Sequence, residues 1–318
     1  MTLHLGTTPW ASGPDLSGPP LAQAGELAER AGFESFWLPE SHFVQGANPA
    51  PLLRLAAVAG RTERIRLGTT SYLLPVRNAI AAAEEVAVLD HLSDGRVILG
   101  VGRGFRRALF DVFGVDPAEK RKLLEAALRT MKSAWRGDPI AVPGAEPDAP
   151  PIRLEPRPVQ QPHPPIWVAA FGPKALAQVG GLGLPYLASP MESRQQLLAN
   201  HDAHTQALGE AGHRREDVAV PIMRTAFVGS APEVERVREE LRAEAEGWRR
   251  LPSPRLRAAA DVDVDDRALL GEAGEFRERV ARYREELGMT HLIVRPMLSR
   301  RPPEEVRRGL DALREALV

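Results

Sequence analysis

The chain has 318 residues, no cysteine and a formal net charge of −1, from 41 Lys and Arg against 42 Asp and Glu. The absence of cysteine excludes disulfides, thiolate nucleophiles and Cys-ligated metal sites, and is typical of a reducing compartment. The balanced charge gives no indication of a nucleic-acid or anionic-membrane partner. The first residues do not resemble a signal peptide, and no stretch reaches the ~18 uninterrupted apolar residues that span a bilayer. We therefore expect a cytoplasmic globular protein.

Short apolar runs alternate with amphipathic stretches along the chain. The runs predict buried parallel strands, at Leu3–Thr7, Phe33–Leu38, Ile65–Thr70, Val97–Val101, Ile166–Ala170, Pro185–Ala188, Val218–Val228 and His291–Val294. The stretches predict helices, at about Pro19–Ala31, Ala50–Gly60, Ala79–Leu92, Leu123–Trp135, Pro173–Gly180, Arg194–Leu208, Pro232–Trp248, Gly274–Leu287 and Pro303–Leu317. Two excursions interrupt this pattern, a proline-rich segment at 139–165 and a polar segment at 251–270, which we expect to be a mobile loop.

Eight predicted strands, each followed by a helix, favour one α/β domain over residues 1–318: a (β/α)8 TIM barrel with insertion loops. Closing the sheet leaves no strand edge to cover. A doubly wound open sheet is the alternative. It would place a G-x-G-x-x-G turn after the first strand, where this chain has GTTPWASG.

The polar residues that follow the predicted strands are the candidate site, because active sites of such barrels lie at the carboxyl ends of the strands. These residues are Glu40, Ser41, His42, Thr70, Ser71, Gly102, Arg103, Gly104, Ala170, Gly172 and Lys174. They offer backbone amides and cations, without a carboxylate pair or a metal-ligand cluster. This set suits an anionic cofactor better than hydrolysis. Each residue also has a structural alternative: the glycines as turn formers, His42 as a packed side chain, and Glu40 as a strand cap or arginine partner.

The run RIRLGTTSYLLPVRNAIAAAEEVAVLDHLSDGRVILGVGRGF resembles the signature stretch of the luciferase-like monooxygenases. FWLPESHF before it and RALFDVFGVDPAEKR after it resemble the same family, and PPIWVAAFGPKALAQVGGLGLPYLAS resembles the family's flavin-phosphate segment. The resemblance implies the barrel and a flavin-dependent oxidoreductase. It points to a two-component monooxygenase in which reduced FMN from a separate flavin reductase reacts with O2 and oxygenates a small organic substrate.

The resemblance also implies roles for individual residues. Thr70–Ser71 matches a bulge with a cis peptide that supports the flavin ring, and Gly102, Arg103 and Gly104 match the loop along the ring edge and ribityl chain. The remaining cofactor-binding positions are Glu40, Arg121, Ala170, Gly172 and Lys174, with Arg121 as the arginine that clamps the phosphate. His42 is the candidate for proton transfer, with Ser41 beside it.

Three departures from the family, at four positions, matter. Ser41 replaces a histidine implicated in luciferase catalysis, and Gly102 replaces a cysteine that flanks the flavin. Gly172 and Ala175 replace a phosphate-binding serine and threonine, which leaves amides and Lys174 for the phosphate. These departures argue against light emission and weaken the phosphate site.

Two other functions fit the same resemblance. One is a reductase or dehydrogenase that uses the deazaflavin coenzyme F420, and the other is a non-catalytic flavin-binding protein, against which Arg103, Arg121 and His42 argue. The resemblance further implies a homodimer formed through helices on one side of the barrel. The helix Ala79–Leu92 carries more apolar residues than one buried stripe needs, although deeper burial within the same barrel would also explain them.

Overall fold

The structure is a computed structural model that describes residues 2–9, 19–141, 146, 149–250, 253–299 and 301–317. In this part of the chain the strands form one curled sheet in which every pair is parallel. The strands are β1 (His4–Thr7), β2 (Ser35–Leu38), β3 (Arg66–Thr69), β4 (Tyr72–Leu73), β5 (Val97–Gly102), β6 (Ile166–Ala169), β7 (Tyr186–Leu187), β8 (Pro221–Val228), β9 (Ala268–Gly271) and β10 (His291–Pro296).

Helices separate most of the strands. They are α1 (Pro19–Arg30), α2 (Pro51–Ala59), α3 (Ala79–Leu92), α4 (Arg107–Phe113), α5 (Lys120–Arg136), α6 (Pro173–Gly181), α7 (Arg194–Glu210), α8 (Ala231–Arg249), α9 (Pro254–Ala260), α10 (Val264–Arg267), α11 (Ala273–Leu287) and α12 (Pro303–Glu315). Each predicted strand and helix overlaps one of these elements. The α/β class with a parallel sheet is therefore confirmed.

The order of strands in the sheet is β7-β6-β5-β3-β2-β1-β10-β8-β9, with β4 paired to β5 beside this path. The end of the path at β7 approaches β8. Ala188, directly after β7, forms a parallel bridge with Ile222, and the Met223 amide donates to the Ala188 carbonyl at 3.2 Å. The later half of β8 pairs with β9 instead.

The prediction of an aperiodic loop over 251–270 is wrong for the described residues 253–270. They form α9, α10 and most of β9, whose four residues are all buried against β8. The strand escaped prediction because its apolar run, ALL, is too short to show a period and follows charged helical turns. The excursion at 139–165 contains no helix or strand in its described residues.

The interior of the curled sheet is filled by one cluster of inward side chains, which are Trp37, Ile98, Trp167, Leu187, Met223 and Ile293. The rings of Trp37 and Trp167 stack at 4.9 Å. A Cβ at Gly68 on the neighbouring strand would collide with the Trp37 ring, so this strand needs a glycine where the indole crosses it. A second, larger core lies between the sheet and the helices.

Candidate functional site

The predicted site residues after β2, β3, β5 and β6 lie at one edge of the sheet, because parallel strands end on the same side. We call this edge, with the loops that follow the strands, the carboxyl edge. The short strand β4 crosses it, and its Leu73 pairs with Gly102 of β5. This pairing sets the residues after β3 directly against the residues that end β5.

The peptide between Thr70 and Ser71 is cis, as expected from the sequence. The Thr70 amide donates to the Leu38 carbonyl at 2.8 Å, which holds the bulge to β2. The Ser71 side chain fills the space in which a Cβ of Gly102 would stand. A residue with a side chain at 102 would therefore displace Ser71, and the glycine keeps this part of the edge flat.

The Glu40 side chain is fully buried at the start of the loop after β2. Its carboxylate accepts hydrogen bonds from the Leu73 amide at 3.0 Å, from Arg77 Nη2 at 2.7 Å and from His42 Nε2 at 2.7 Å. The charge of Arg77 compensates the buried carboxylate, and its guanidinium also lies 4.1 Å from the centre of the Tyr72 ring. Glu40 thus ties the loop after β2 to the strand that carries the bulge.

His42 is held by this carboxylate and by two aromatic rings. The imidazole lies 5.5 Å from the Phe43 ring and 5.4 Å from the Phe113 ring, measured between centroids. Its side chain is nearly buried, and its carbonyl accepts a hydrogen bond from Arg106. The Glu40 bond fixes the ring orientation, which is what a residue that transfers protons needs.

Ser41 has a structural contact in place of the imidazole found in luciferase. Its hydroxyl accepts a hydrogen bond from the Asn48 amide at 2.9 Å, and its own amide donates to the Asn48 carbonyl at 2.9 Å. Asn48 is buried, and its side-chain amide donates to the Pro39 carbonyl at 2.6 Å. Ser41 therefore closes the base of the loop 41–48.

A group of cations follows β5 at the same edge. Burial lowers the pKa of Lys120, and the nearby charges of Arg103 and Arg121 lower it further. The Lys120 ammonium lies 5.7 Å from the centre of the Phe110 ring. A Cβ at Gly104, whose φ is +71°, would lie 3.4 Å from that same ring, so α4 packs directly on the Arg103 loop. The three cations form a basic cluster, Arg103–Lys120–Arg121, that suits an anion.

Sequence reasoning selected Arg121 as the phosphate arginine, which stays a prediction, and did not consider Lys120, its neighbour in the run KRK. Arg121 is exposed and lines a groove between α5 and the later turns of α6, where its carbonyl accepts a hydrogen bond from Gln178 at 3.0 Å. Lys120 is half-buried on the side of Arg103. The periodicity of α5 did not reveal this difference, because it depends on where the Arg103 loop runs.

Gly172 lies at the carboxyl end of β6 and begins α6 with a φ of +81°. The space around its Cβ position is open. Ala170 is buried, and Lys174 is exposed in the first turn of α6. A helix N-terminus that follows a glycine favours an anionic group.

Among the described residues, no group of three or more His, Asp or Glu side chains is arranged to hold a metal ion. The described helices also include none with the length and apolar character of a membrane span.

Comparison with known proteins gives the family. The family model for luciferase-like monooxygenases matches residues 6–291. The oxygenase component of the flavin-dependent trigonelline monooxygenase of Acinetobacter baylyi is 28% identical over 211 residues, which are 65% of this chain and 58% of that protein. The chain spans about half the length of the curated relatives it matches, for example 44% of two uncharacterized proteins of Sinorhizobium fredii.

Solved structures show the same fold over the full length. The oxygenating constituent of 3,6-diketocamphane monooxygenase of Pseudomonas putida, in complex with FMN, has a TM-score of 0.79 at 21% identity, covering 99% of this chain and 98% of that one. An F420-dependent secondary alcohol dehydrogenase has a TM-score of 0.78 at 21% identity, covering 100% of both chains. With the family model matching most of its length, the chain belongs to the luciferase-like monooxygenase family.

Proposed function

We propose that the protein is a flavin-dependent oxidoreductase, the oxygenase component of a two-component monooxygenase that uses reduced FMN and O2. Family membership and the relative named as an oxygenase component support this proposal. The observation that carries it is the basic cluster Arg103–Lys120–Arg121, because it follows directly on Gly102, which contacts Ser71 of the cis peptide. A separate flavin reductase is the proposed partner.

The residues present fit a flavin phosphate. Arg103 and Lys120 would hold the phosphate, and their charges repel each other until an anion lies between them. Gly172 would add the amide end of α6, since it is the N-cap residue of that helix. When bound, reduced flavin supplies the reaction with O2; the chain binds it, orients it and excludes water.

His42 is the proposed residue for proton transfer. Glu40 engages Nε2, which leaves Nδ1 for a proton exchanged with the bound reactants. Glu40 would then act as a positioning residue through His42, and Ser41 would act through the loop that it closes.

We also propose that the sheet is a closed eight-stranded barrel with β9 added outside the ring. The bridge between Ala188 and Ile222 supports closure, because it joins the path from β7 to the first half of β8.

A homodimer is proposed through α2 and α3, on which Leu53, Val88 and Leu92 are exposed apolar residues. Sedimentation at micromolar concentration should give the mass of two chains, and a species of one chain would contradict the dimer.

Binding of FMN and riboflavin to single variants tests the function. Loss of a charge-assisted contact to phosphate costs about tenfold to a hundredfold in affinity. Lys120→Ala and Arg103→Ala should weaken FMN by this factor and leave riboflavin, which has no phosphate, nearly unchanged. Arg121→Ala should weaken FMN less, since Arg121 is exposed.

Lys122→Ala is the matched control from the same run of cations. Lys122 is 81% exposed and its ammonium pairs with Glu119 at 3.1 Å, so this variant should bind FMN as the parent does. Absence of binding by either flavin would contradict the proposal. If coenzyme F420 binds instead, the protein is the deazaflavin-dependent alternative. If reduced FMN binds without any oxygenation by O2, the non-catalytic alternative holds.

A further inference from the structure

Two exposed phenylalanines flank His42 at the carboxyl edge. Phe43 is 54% exposed and Phe113 is 44% exposed, and their ring centroids are 6.0 Å apart. With His42 they form three rings whose centroids are all within 6.0 Å of one another. Phe43 belongs to the loop after β2, whereas Phe113 is the last residue of α4, which ends at Gly114 with a φ of +66°. Two separate segments therefore bring these rings together.

The backbone of Phe43 has an unfavourable conformation at this exposed position. Its φ is +56°, in the left-handed region that a bulky side chain rarely adopts because its Cβ lies too close to the following carbonyl oxygen. The two Ser41–Asn48 hydrogen bonds close the loop base and restrict its course. More than half of the surface of Phe43 remains exposed, so its burial contributes only part of what a fully buried ring would. Conformations of this kind concentrate at functional sites.

The charges around the three rings indicate what they bind. Arg106 donates to the His42 carbonyl, and Arg77 neutralises the buried Glu40 carboxylate. Arg106 and Arg77 thus place positive charge beside the rings, which disfavours a positively charged ligand over the ring faces. A flat, apolar ring matches them best, because aromatic pairs gain affinity beyond the area that they bury.

We propose that His42, Phe43 and Phe113, whose rings pack on one another, form an aromatic surface, which we call the clamp, and that its exposed faces bind the ring system of a planar, uncharged or anionic aromatic substrate. This inference rests on the proposed function, since it names the substrate class of the same site. The clamp sets the ring beside the imidazole that Glu40 orients.

Isothermal titration of the full chain with 2-naphthol and with 1-octanol tests the clamp. Both probes carry one hydroxyl on an apolar body, and only 2-naphthol is a flat ring. Phe43→Leu and Phe113→Leu keep an apolar side chain and remove its ring face. Each should weaken 2-naphthol about threefold to tenfold and change 1-octanol by less than twofold. Val112→Ala is the control, since Val112 neighbours Phe113 on α4 and is exposed without belonging to the three rings.

Equal weakening of both probes, or no change in 2-naphthol, would overturn the clamp, as would absence of 2-naphthol binding by the parent protein. FMN binding to the same variants is measured in parallel and should stay at the parent value. If FMN does not bind the parent protein, the proposed function fails on its own, whatever the probes do. If FMN binds and the probe results go against the clamp, only the substrate class fails.

Discussion

The two ends of the sheet are built differently. At the amino ends of the strands, the His4 and His291 rings stack at 4.7 Å and the Trp167 ring meets His291 at 4.9 Å, so rings close this end. At the carboxyl edge, the buried charge of Glu40 and the exposed ring of Phe43 sit on loops. The packed rings at the amino ends thus stabilise the fold, whereas the buried charge and the exposed ring at the carboxyl edge cost stability and serve binding.

Removing the charge of Glu40 should give the largest effect. Breaking a buried ion pair from one side leaves the partner uncompensated and costs about 3–5 kcal/mol; since Arg77 is partly exposed, we expect Glu40→Gln to lower the free energy of unfolding by about 3 kcal/mol. Urea unfolding of the parent and of Glu40→Gln measures this difference in the free energy of unfolding.

The matched variant at the other end is Glu34→Gln. Glu34 is half-exposed and accepts from His4 at 2.6 Å, so its loss should cost less than about 1 kcal/mol. Equal losses at Glu40 and Glu34 would show that the two ends do not differ in this way.

Acid should lower the stability of the fold through a half-buried histidine, His291, at the amino ends of the strands. Burial, followed by the charges of His4 and Arg66, lowers the pKa of His291 to about 4. Because an unfolded histidine titrates near 6.5, the unfolded chain binds a proton between these pH values that the folded chain refuses. The stability contributed by neutral His291 is therefore complete above pH 6.5 and is lost as the pH falls toward 4. We expect this loss to be about 2 kcal/mol after allowance for partial exposure.

The variant His291→Phe keeps a ring at this position and removes the titration. Its free energy of unfolding should fall less steeply than that of the parent between pH 6.5 and 4. His201 gives the same sign elsewhere in the fold, since burial lowers its pKa to about 3. If the free energies of unfolding of the parent and of His291→Phe changed in parallel with pH, the loss of stability in acid would not come from His291.

Removing the backbone strain at Phe43 should give the smallest change in the free energy of unfolding, and this change should be an increase. Glycine adopts a positive φ without penalty, and the exposed ring contributes little burial, so Phe43→Gly should raise the free energy of unfolding by about 1 kcal/mol. Asp94, with a φ of +51°, is the control, because aspartate tolerates this region and Asp94→Gly should change stability by only a few tenths of a kcal/mol. If Phe43→Gly were more stable than the parent and bound 2-naphthol more weakly, the carboxyl edge would be shown to give up stability for binding. A destabilised one would show that the ring supports the fold.

Much of the fold followed from the sequence. Alternation of apolar runs and amphipathic stretches located eight strands and nine helices, since buried parallel strands and one-sided helices leave different periods in the chain. The strand-end residues followed from the same pattern, and the cis peptide at Thr70–Ser71 followed from the family resemblance.

The contacts that define the candidate site depended on the tertiary structure. Glu40 meets Arg77 across 37 positions, and Phe43 meets Phe113 across the elements from α2 to β5. The strand β9 became a strand through its pairing with β8, and Lys120 came to lie over the Phe110 ring, which packs on Gly104, through the course of one loop. Local patterns encode which face of an element is buried; which side chains meet is set by how the sheet curls and where its loops return, and no short window of sequence contains that information.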